Sequence, residues 1–202
     1  MLTYGLNSCL TKAHFVAQIA AESSTGLKEA AKARTLKRAT ELWGERASIQ
    51  ELKKYTYVSI YKGNYIKSDG TTLTFEDRKN LLNYVYGKDL INLGNYLWTD
   101  GFTFRGRGFI QLTGRYNYQK FTDWNKKTFH ENIDFTSNPD LITQAKYAAR
   151  SAAFFWVTNN LDQLAKKGSD SKNVDLITGV VNPSMNGSST RKIYFKKYWN
   201  KL

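Results

Sequence analysis

Two stretches of the chain are apolar on most sides, and each predicts a buried helix. The first is LTKAHFVAQIAAE, residues 10–22. Leu10, Ala13, Ala17 and Ala20/Ala21 make its helical stripe, which Phe15, Val16 and Ile19 widen. Ser23-Ser24-Thr25-Gly26 follows as a stop, with Gly26 suited to a left-handed cap. The second is PDLITQAKYAARSAAFFWVT, residues 139–158, with Pro139 in its first turn. Weaker helical patterns fill much of the rest. Residues 27–54 are charged and alanine-rich, a helix with a solvated face that breaks near Gly44. Residues 75–87 place Leu81, Leu82 and Val85 at helical spacing. Residues 160–181 predict a helix pair broken around Gly168. One segment, 55–75, alternates β-branched and aromatic residues with polar ones. Its turn signals at Lys62-Gly63-Asn64 and Ser68-Asp69-Gly70 predict a small hairpin. Residues 88–104 read as loop. Asn182-Pro183 opens a polar loop that ends at Arg191, and the basic aromatic helix RKIYFKKYWNKL closes the chain.

This pattern predicts an α+β protein, mostly α-helical with one small β-hairpin, as a single domain over residues 1–202 in two lobes. A chain of 202 residues with 41% hydrophobic content is long enough for a sizeable core. No apolar run approaches the ~18 residues needed to span a bilayer. No charged n-region followed by an apolar stretch marks a signal peptide, so work outside the cytoplasm would need another route of release. Cys9 is the only cysteine; no internal disulfide is possible, and its expected place is a small core position. The formal charge of +13 changes the picture most. It predicts attraction to polyanions: nucleic acid, anionic lipid or bacterial wall polymers.

Candidate chemistry gathers in FRGRGFIQLTGRYNY, Phe104 to Tyr118. Its glycines allow close backbone approach. Gln111 interrupts an apolar, strand-like FIQL run, so it is a satisfied buried amide or a group aimed into a cleft. Tyr116 and Asn117 offer a stacking face and a two-way hydrogen-bonding group, which suits a sugar. Glu22 ends the first apolar helix, where partial desolvation and the negative end of the helix dipole both raise a carboxyl pKa. That is what a general acid requires near neutral pH. Gln18 sits one turn earlier on the same face. A glycosidase also needs a second carboxylate; Glu29, Glu41, Glu45 and Glu51 follow, each by itself consistent with a solvated helix charge. His14 and His130 make no metal spacing, and His14 on an apolar helix reads as a core residue. No G-x-S-x-G turn or P-loop is present, and Gln111 occupies the third glycine position of G-x-G-x-x-G. The RGRG element occurs once and runs into apolar sequence, which ranks nucleic-acid binding below a cleft.

Three motifs in order resemble the family 19 glycoside hydrolases, the chitinases and their phage endolysin relatives. AHFVAQIAAES, residues 13–23, is similar to the family's acid-bearing helix, A-x-F-x-A-Q-x-x-H-E, with Glu22 on the acid and Ala21 where the family has histidine. RGRGFIQLTGRYNY is similar to its most specific motif, with Gln111, Thr113, Tyr116 and Asn117 on cleft-lining positions and Arg105 and Arg107 in the substrate-binding stretch. VVNPSMNG followed by RKIYF resembles its late asparagine loop, with Asn182 and Arg191 on the matching positions. Tyr86 to Asn95 also looks like the endolysin branch. The resemblance spans residues 5–198. Endolysin relatives place a second glutamate about nine residues after the first; Ala31 stands there, and Glu29 is the nearest substitute.

The resemblance implies a lysozyme-like two-lobed fold with a deep substrate cleft. It implies inverting hydrolysis of β-1,4-linked amino-sugar polymers, with Glu22 as general acid, Glu29 as base and Thr113 holding the attacking water. Gln18, Arg105, Arg107, Gln111, Tyr116, Asn117, Asn182 and Arg191 would bind substrate. Peptidoglycan is the expected polymer, reached by phage lysis or a secretion system. The alternatives are a chitinase or a non-catalytic wall-binding module. A monomer with no cofactor, metal or nucleic-acid partner is expected.

Overall fold

A computed structural model of the chain describes residues 6–22, 32–87 and 91–201. In chain order its elements are α1 (Cys9–Glu22), α2 (Leu36–Trp43), α3 (Ile49–Lys54), strands β1 (Ser59–Tyr61) and β2 (Asn64–Ile66), α4 (Phe75–Tyr86), α5 (Asp100–Thr103), α6 (Arg115–Phe129), α7 (Ala145–Thr158), α8 (Leu161–Ala165), α9 (Ser171–Val181) and α10 (Ser188–Trp199). Short 3₁₀ turns lie at Ile91–Leu93 and Pro139–Thr143. The architecture is therefore mostly helical with one small antiparallel hairpin, as the hydrophobic pattern predicts. Backbone contacts divide it into two compact units. Met1–Glu29, Gly106–Leu112 and Gln119–Leu202 form one, and Ala30–Arg105 with Thr113–Tyr118 the other.

The first unit is built around α1, which packs along α10 and also meets α8 and α9. Phe15 meets Trp156 edge-on at 5.4 Å, in a cluster with Leu6, Ile110, Leu161 and Ile177. Burial of each such side chain contributes roughly 1.5–3 kcal/mol. Ala13 and Ala17 are small enough for Val174 and Phe195 to close on the helix. The same face buries three polar residues, Thr11, His14 and Gln18. His14 is a core residue, as its apolar surroundings predict: it stacks on Phe195 at 4.2 Å and its Nε2 lies 2.9 Å from the Gly168 carbonyl oxygen. Burial lowers its pKa, against the Gly168 hydrogen bond and the charge of Asp170. Cys9 differs from expectation. It is exposed, because it opens α1 ahead of the buried face.

The second unit holds its own core of Ala39, Trp43, Ala47, Leu52, Leu81 and Val85. Three of its helices, α2, α3 and α4, start at side-chain caps. The Thr35 and Ser48 hydroxyls accept from the amides of Arg38 and Glu51, and Thr74 with Asp77 forms a reciprocal capping box. Residues 27–31 of the helix expected over 27–54 lie outside the described residues; from residue 32 onward, helix begins only at Leu36. Residues Arg34 and Thr35 are held extended by a bridge to Tyr57, with Tyr57 N–H donating to the Arg34 carbonyl at 3.0 Å. The break expected near Gly44 is observed. The hairpin turns at Lys62-Gly63, both with positive φ (46° and 81°), the geometry of a two-residue hairpin loop.

Four further expectations change. FIQL is a turn, not a strand: Arg107 and Leu112 pair with each other and residues 108–111 connect them. Residues 91–103, read as loop, contain a 3₁₀ turn and α5. Pro139–Thr143 is 3₁₀, so the second apolar helix starts at Ala145. The closing helix begins at Ser188, before Arg191. Helix α6 had no pattern to announce it. It is rich in Tyr, Phe, Trp, Asn and Thr, residues with modest helix propensity, and is stabilised by packing. Phe121 stacks on Phe135 at 4.5 Å and also meets Phe154 and Trp124. The proposed stop at Ser23–Gly26 lies outside the described residues.

Gly108 tests how tightly the central turn is packed. Its φ is +75°, and a Cβ there would meet Ser151 Oγ at 2.5 Å and Ile142 Cγ2 at 3.0 Å. Gly63 has a similar φ of +81° with nothing within 4 Å. Gly63→Ala should lose only the backbone term, about 1 kcal/mol. Gly108→Ala should lose at least about twice that in urea unfolding, and equal losses would show that Ser151 and Ile142 yield freely.

Candidate functional site

In the first unit, α1 carries Gln18 and Glu22 one turn apart on one side. The Gln18 amide nitrogen donates to the Thr178 hydroxyl at 3.2 Å, and Thr178 in turn donates to the Val174 carbonyl at 2.8 Å. Glu22 forms an ion pair with Arg191 from α10, through Oε1 and Nη2. The Arg191 side chain is 2% exposed and that of Glu22 20%. Arg191 Nη1 also donates to the Asn186 carbonyl. Gly187, with φ +77°, leaves the space for this: a Cβ there would lie 3.0 Å from Nη1. Asn182 caps the C-terminus of α9 and organises the same loop. Its amide donates to the Thr178 carbonyl at 2.7 Å, its carbonyl accepts from the Met185 amide at 2.9 Å, and its side-chain nitrogen lies 3.4 Å from the Asn186 oxygen. Gln18, Glu22, Asn182 and Arg191, from two separate sequence motifs, thus share one connected network.

Burial pushes the Glu22 carboxyl above its ordinary pKa, while the charge and hydrogen bond of Arg191 oppose the rise without cancelling it. Gln18 Oε1 and Arg191 Nε are buried without a hydrogen-bond partner among the described residues. A buried polar atom left unpaired costs about 1–3 kcal/mol.

The central motif supplies the remaining first-unit residues. Gln111 is half-buried and adopts φ +54°, a conformation uncommon for a residue with a side chain. Its side-chain nitrogen donates to the Gly108 carbonyl at 3.1 Å and closes the turn. Arg107 is 2% exposed, and its Nε and Nη2 each lie 2.7 Å from Asp140 Oδ1.

Arg105, Thr113, Tyr116 and Asn117 lie in the second unit. Arg105 is buried, donates to the Phe102 carbonyl at 2.7 Å and sits 4.0 Å over the Phe102 ring. Thr113 is half-buried, and its carbonyl accepts from the Asn117 side chain at 2.7 Å. Tyr116 is 51% exposed. Two close approaches hold this segment: a Cβ on Gly94 would meet Tyr116 Cβ at 2.6 Å, and one on Gly114 would meet the Leu93 oxygen at 2.8 Å. Glu29 lies outside the described residues. Glu41, the other candidate base, is an exposed helix charge paired with Arg38 at 2.9 Å.

Sequence reasoning missed Asp100, Asn95, Thr178 and Asn186. Asp100 is 1% exposed and binds Arg115 through both oxygens, at 2.6 and 2.9 Å. It also accepts from the amides of Tyr96 and Leu97. Asn95 bridges the Tyr86 carbonyl and the Arg115 amide. Together they set the start of α6, where Tyr116 and Asn117 stand. A buried acid in an aromatic loop has no local signature; its partner is fifteen residues away.

The fold and network so far define a mostly helical α+β protein with a largely buried carboxylate–guanidinium pair. No family profile matches the sequence. The chain is, however, 30% identical over 132 residues to a Haemophilus influenzae (strain ATCC 51907 / DSM 11121 / KW20 / Rd) protein described as "Glycosyl hydrolase family 19 domain-containing protein". The match covers 64% of this chain and 58% of that relative. The likeness supports a relation to glycoside hydrolases of this family and names no substrate.

Burial pushes the Asp100 carboxyl up, but the hydrogen bonds from Arg115, Leu97 and Tyr96 outweigh it and hold the pKa below the usual value. A depressed folded pKa stabilises the fold above the unfolded value, about 3.9, and the contribution is lost as pH falls through the folded value. Asp100→Asn should therefore be destabilised by about 3 kcal/mol at pH 6–7, the cost of breaking a buried pair. In denaturant unfolding the gap from the parent should stay level down to about pH 4 and narrow below it. A gap independent of pH would remove the ionic part of this account.

Proposed function

We propose that this protein is a peptidoglycan-degrading glycoside hydrolase of the family 19 type, with a lysozyme-like fold and a deep substrate cleft. The observation that carries the reading is Glu22. It is a largely buried carboxyl at the end of an apolar helix, with its pKa raised by burial and its position held by Arg191. A general acid near neutral pH requires that combination. The similarity to a protein described as containing a family 19 domain supports the same reading.

In this mechanism Glu22 protonates the leaving glycosidic oxygen while a second carboxylate activates water on the opposite face. Inversion places the two carboxyls roughly 6.5–9.5 Å apart. Glu29 is proposed as that base, and Thr113 as the residue that holds the attacking water. Gln18, Gln111, Tyr116, Asn117 and Asn182 bind the N-acetylated sugars. Arg105, Arg107 and Arg191 complete the binding set, with Arg191 also holding Glu22 in place. Gln18 Oε1 and Arg191 Nε, without a hydrogen-bond partner among the described residues, favour a ligand with polar groups close to Glu22. The chain acts as a monomer without a cofactor, on walls reached by phage lysis or secretion.

Glu22→Gln keeps a hydrogen-bond acceptor for Arg191, so it should fold normally and lose at least ~100-fold in rate on purified sacculi. Near-parental lysis would remove Glu22 from the mechanism.

The charge distinguishes the polymer. Chitin is neutral, whereas bacterial walls carry peptide carboxylates and often phosphate polymers, which concentrate a protein of charge +13. That attraction is screened over about 8 Å at physiological salt. Initial rates on sacculi should fall as ionic strength rises, while rates on a soluble chito-oligomer should stay nearly level. Fast chitin hydrolysis without lysis of sacculi would favour a chitinase instead.

A further inference from the structure

The first unit contains a groove of roughly 600 Å³ whose lining includes none of Gln18, Glu22, Asn182 and Arg191. The volume lies within the range of about 300–1,000 Å³ typical of small-ligand sites. Its floor is apolar, made by Val174 and Phe195. One wall comes from α10 and presents Ile193, 67% exposed, and Trp199, 38% exposed and stacked parallel to Phe195. Lys196, exposed and in no ion pair among the described residues, stands on the same wall. The other wall is the start of α9, where Asp170 is the N-cap. Both hydrogen bonds of its carboxylate, to the Asn173 amide and side chain, fall on Oδ1. Lys192 also lines the groove, but its charge is matched by Asp175 at 2.7 Å.

The walls therefore offer one cation on α10 and one anion on α9, over an apolar floor. A polyanion would meet Asp170 unfavourably, and a neutral glycan would use neither charge. The matching ligand carries both signs and small apolar groups between them: a short peptide with a free carboxylate and a free ammonium. We propose that this groove binds the peptide arms of peptidoglycan, with a peptide carboxylate on Lys196, a diamino-acid ammonium on Asp170, and methyl-bearing residues against Trp199, Ile193 and Val174. This deepens the peptidoglycan reading above and rests on it for the source of the peptide. It gives the protein a means of preferring peptidoglycan over chitin, which has no peptide. The sugar-binding amides, by contrast, meet the same N-acetyl groups in both polymers.

The test is binding of a soluble wall stem tetrapeptide containing a diamino acid, followed by heteronuclear NMR on the full chain, with chitotriose and inorganic polyphosphate as comparison ligands. The tetrapeptide should shift the Trp199 indole and α10 amide signals and saturate. Lys196→Ala and Trp199→Ala should each weaken it at least about fivefold. Asp170→Asn keeps an effective N-cap, so it should leave folding intact. That variant should weaken the diamino peptide but not an analogue whose side-chain amine is acetylated. No shift at millimolar peptide, or equal affinity in the Lys196→Ala and Trp199→Ala variants, would overturn the proposal. Tighter binding of polyphosphate than of peptide at the same residues would overturn it in favour of a polyanion site. None of these readouts needs catalysis, so loss of the groove and loss of the Glu22 mechanism are separately visible. If the groove is right, the three variants also lower the rate on sacculi while leaving the rate on chito-oligomers unchanged.

Discussion

The ion pair between Glu22 and Arg191 joins the end of the first helix to the first turns of the last. Taking a guanidinium and a carboxylate out of water is expensive, and the attraction between them offsets that only when the remaining donors find partners. Here the Asn186 carbonyl takes a second Arg191 N–H, while Nε has no partner among the described residues, and the loop presenting that carbonyl is itself tied through Asn182 to α9. The pair is thus surrounded by backbone that the protein has ordered for it. What it secures is the position and protonation balance of a single carboxyl, which burial raises and Arg191 moderates.

The rest of the first unit follows from bringing α1 and α10 together. Alanines at 13 and 17 permit the approach, and Phe195 fills it by stacking on His14. The buried stripe of Thr11, His14 and Gln18 continues toward Glu22, so one helix face is both core and site. A second consequence is the exposed side of α10. With its inner face committed to Phe195 and Arg191, the helix turns Lys196, Ile193 and Trp199 outward, where they meet the start of α9 in a groove. In the second unit the corresponding anchor is Asp100. It gathers Arg115 and two loop amides, while Gly94 and Gly114 allow the chain to pass within contact of the residues around Tyr116.

Local pattern determined a good part of this protein. The two apolar runs specified α1 and α7 because a helix with a wide apolar face has to be buried. Lys62-Gly63 specified the hairpin because that loop requires positive φ at both positions. Glu22 and Gln18 were legible as a pair because their spacing is one helical turn. Tertiary structure alone decided the rest, since the deciding partners are far apart in sequence. Arg107 and Arg105 read as substrate-binding residues in sequence, and the fold buries both, one on Asp140 and one on Phe102. FIQL has strand composition, but the pairing of Arg107 with Leu112 leaves it too short to be anything but a turn. Helix α6 exists through the aromatic packing of Phe121, Phe135 and Phe154 rather than through propensity. Arg191 could be singled out in sequence, but only the fold shows it buried against Glu22, 169 residues away. No local rule encodes the desolvation that raises one carboxyl and lowers another.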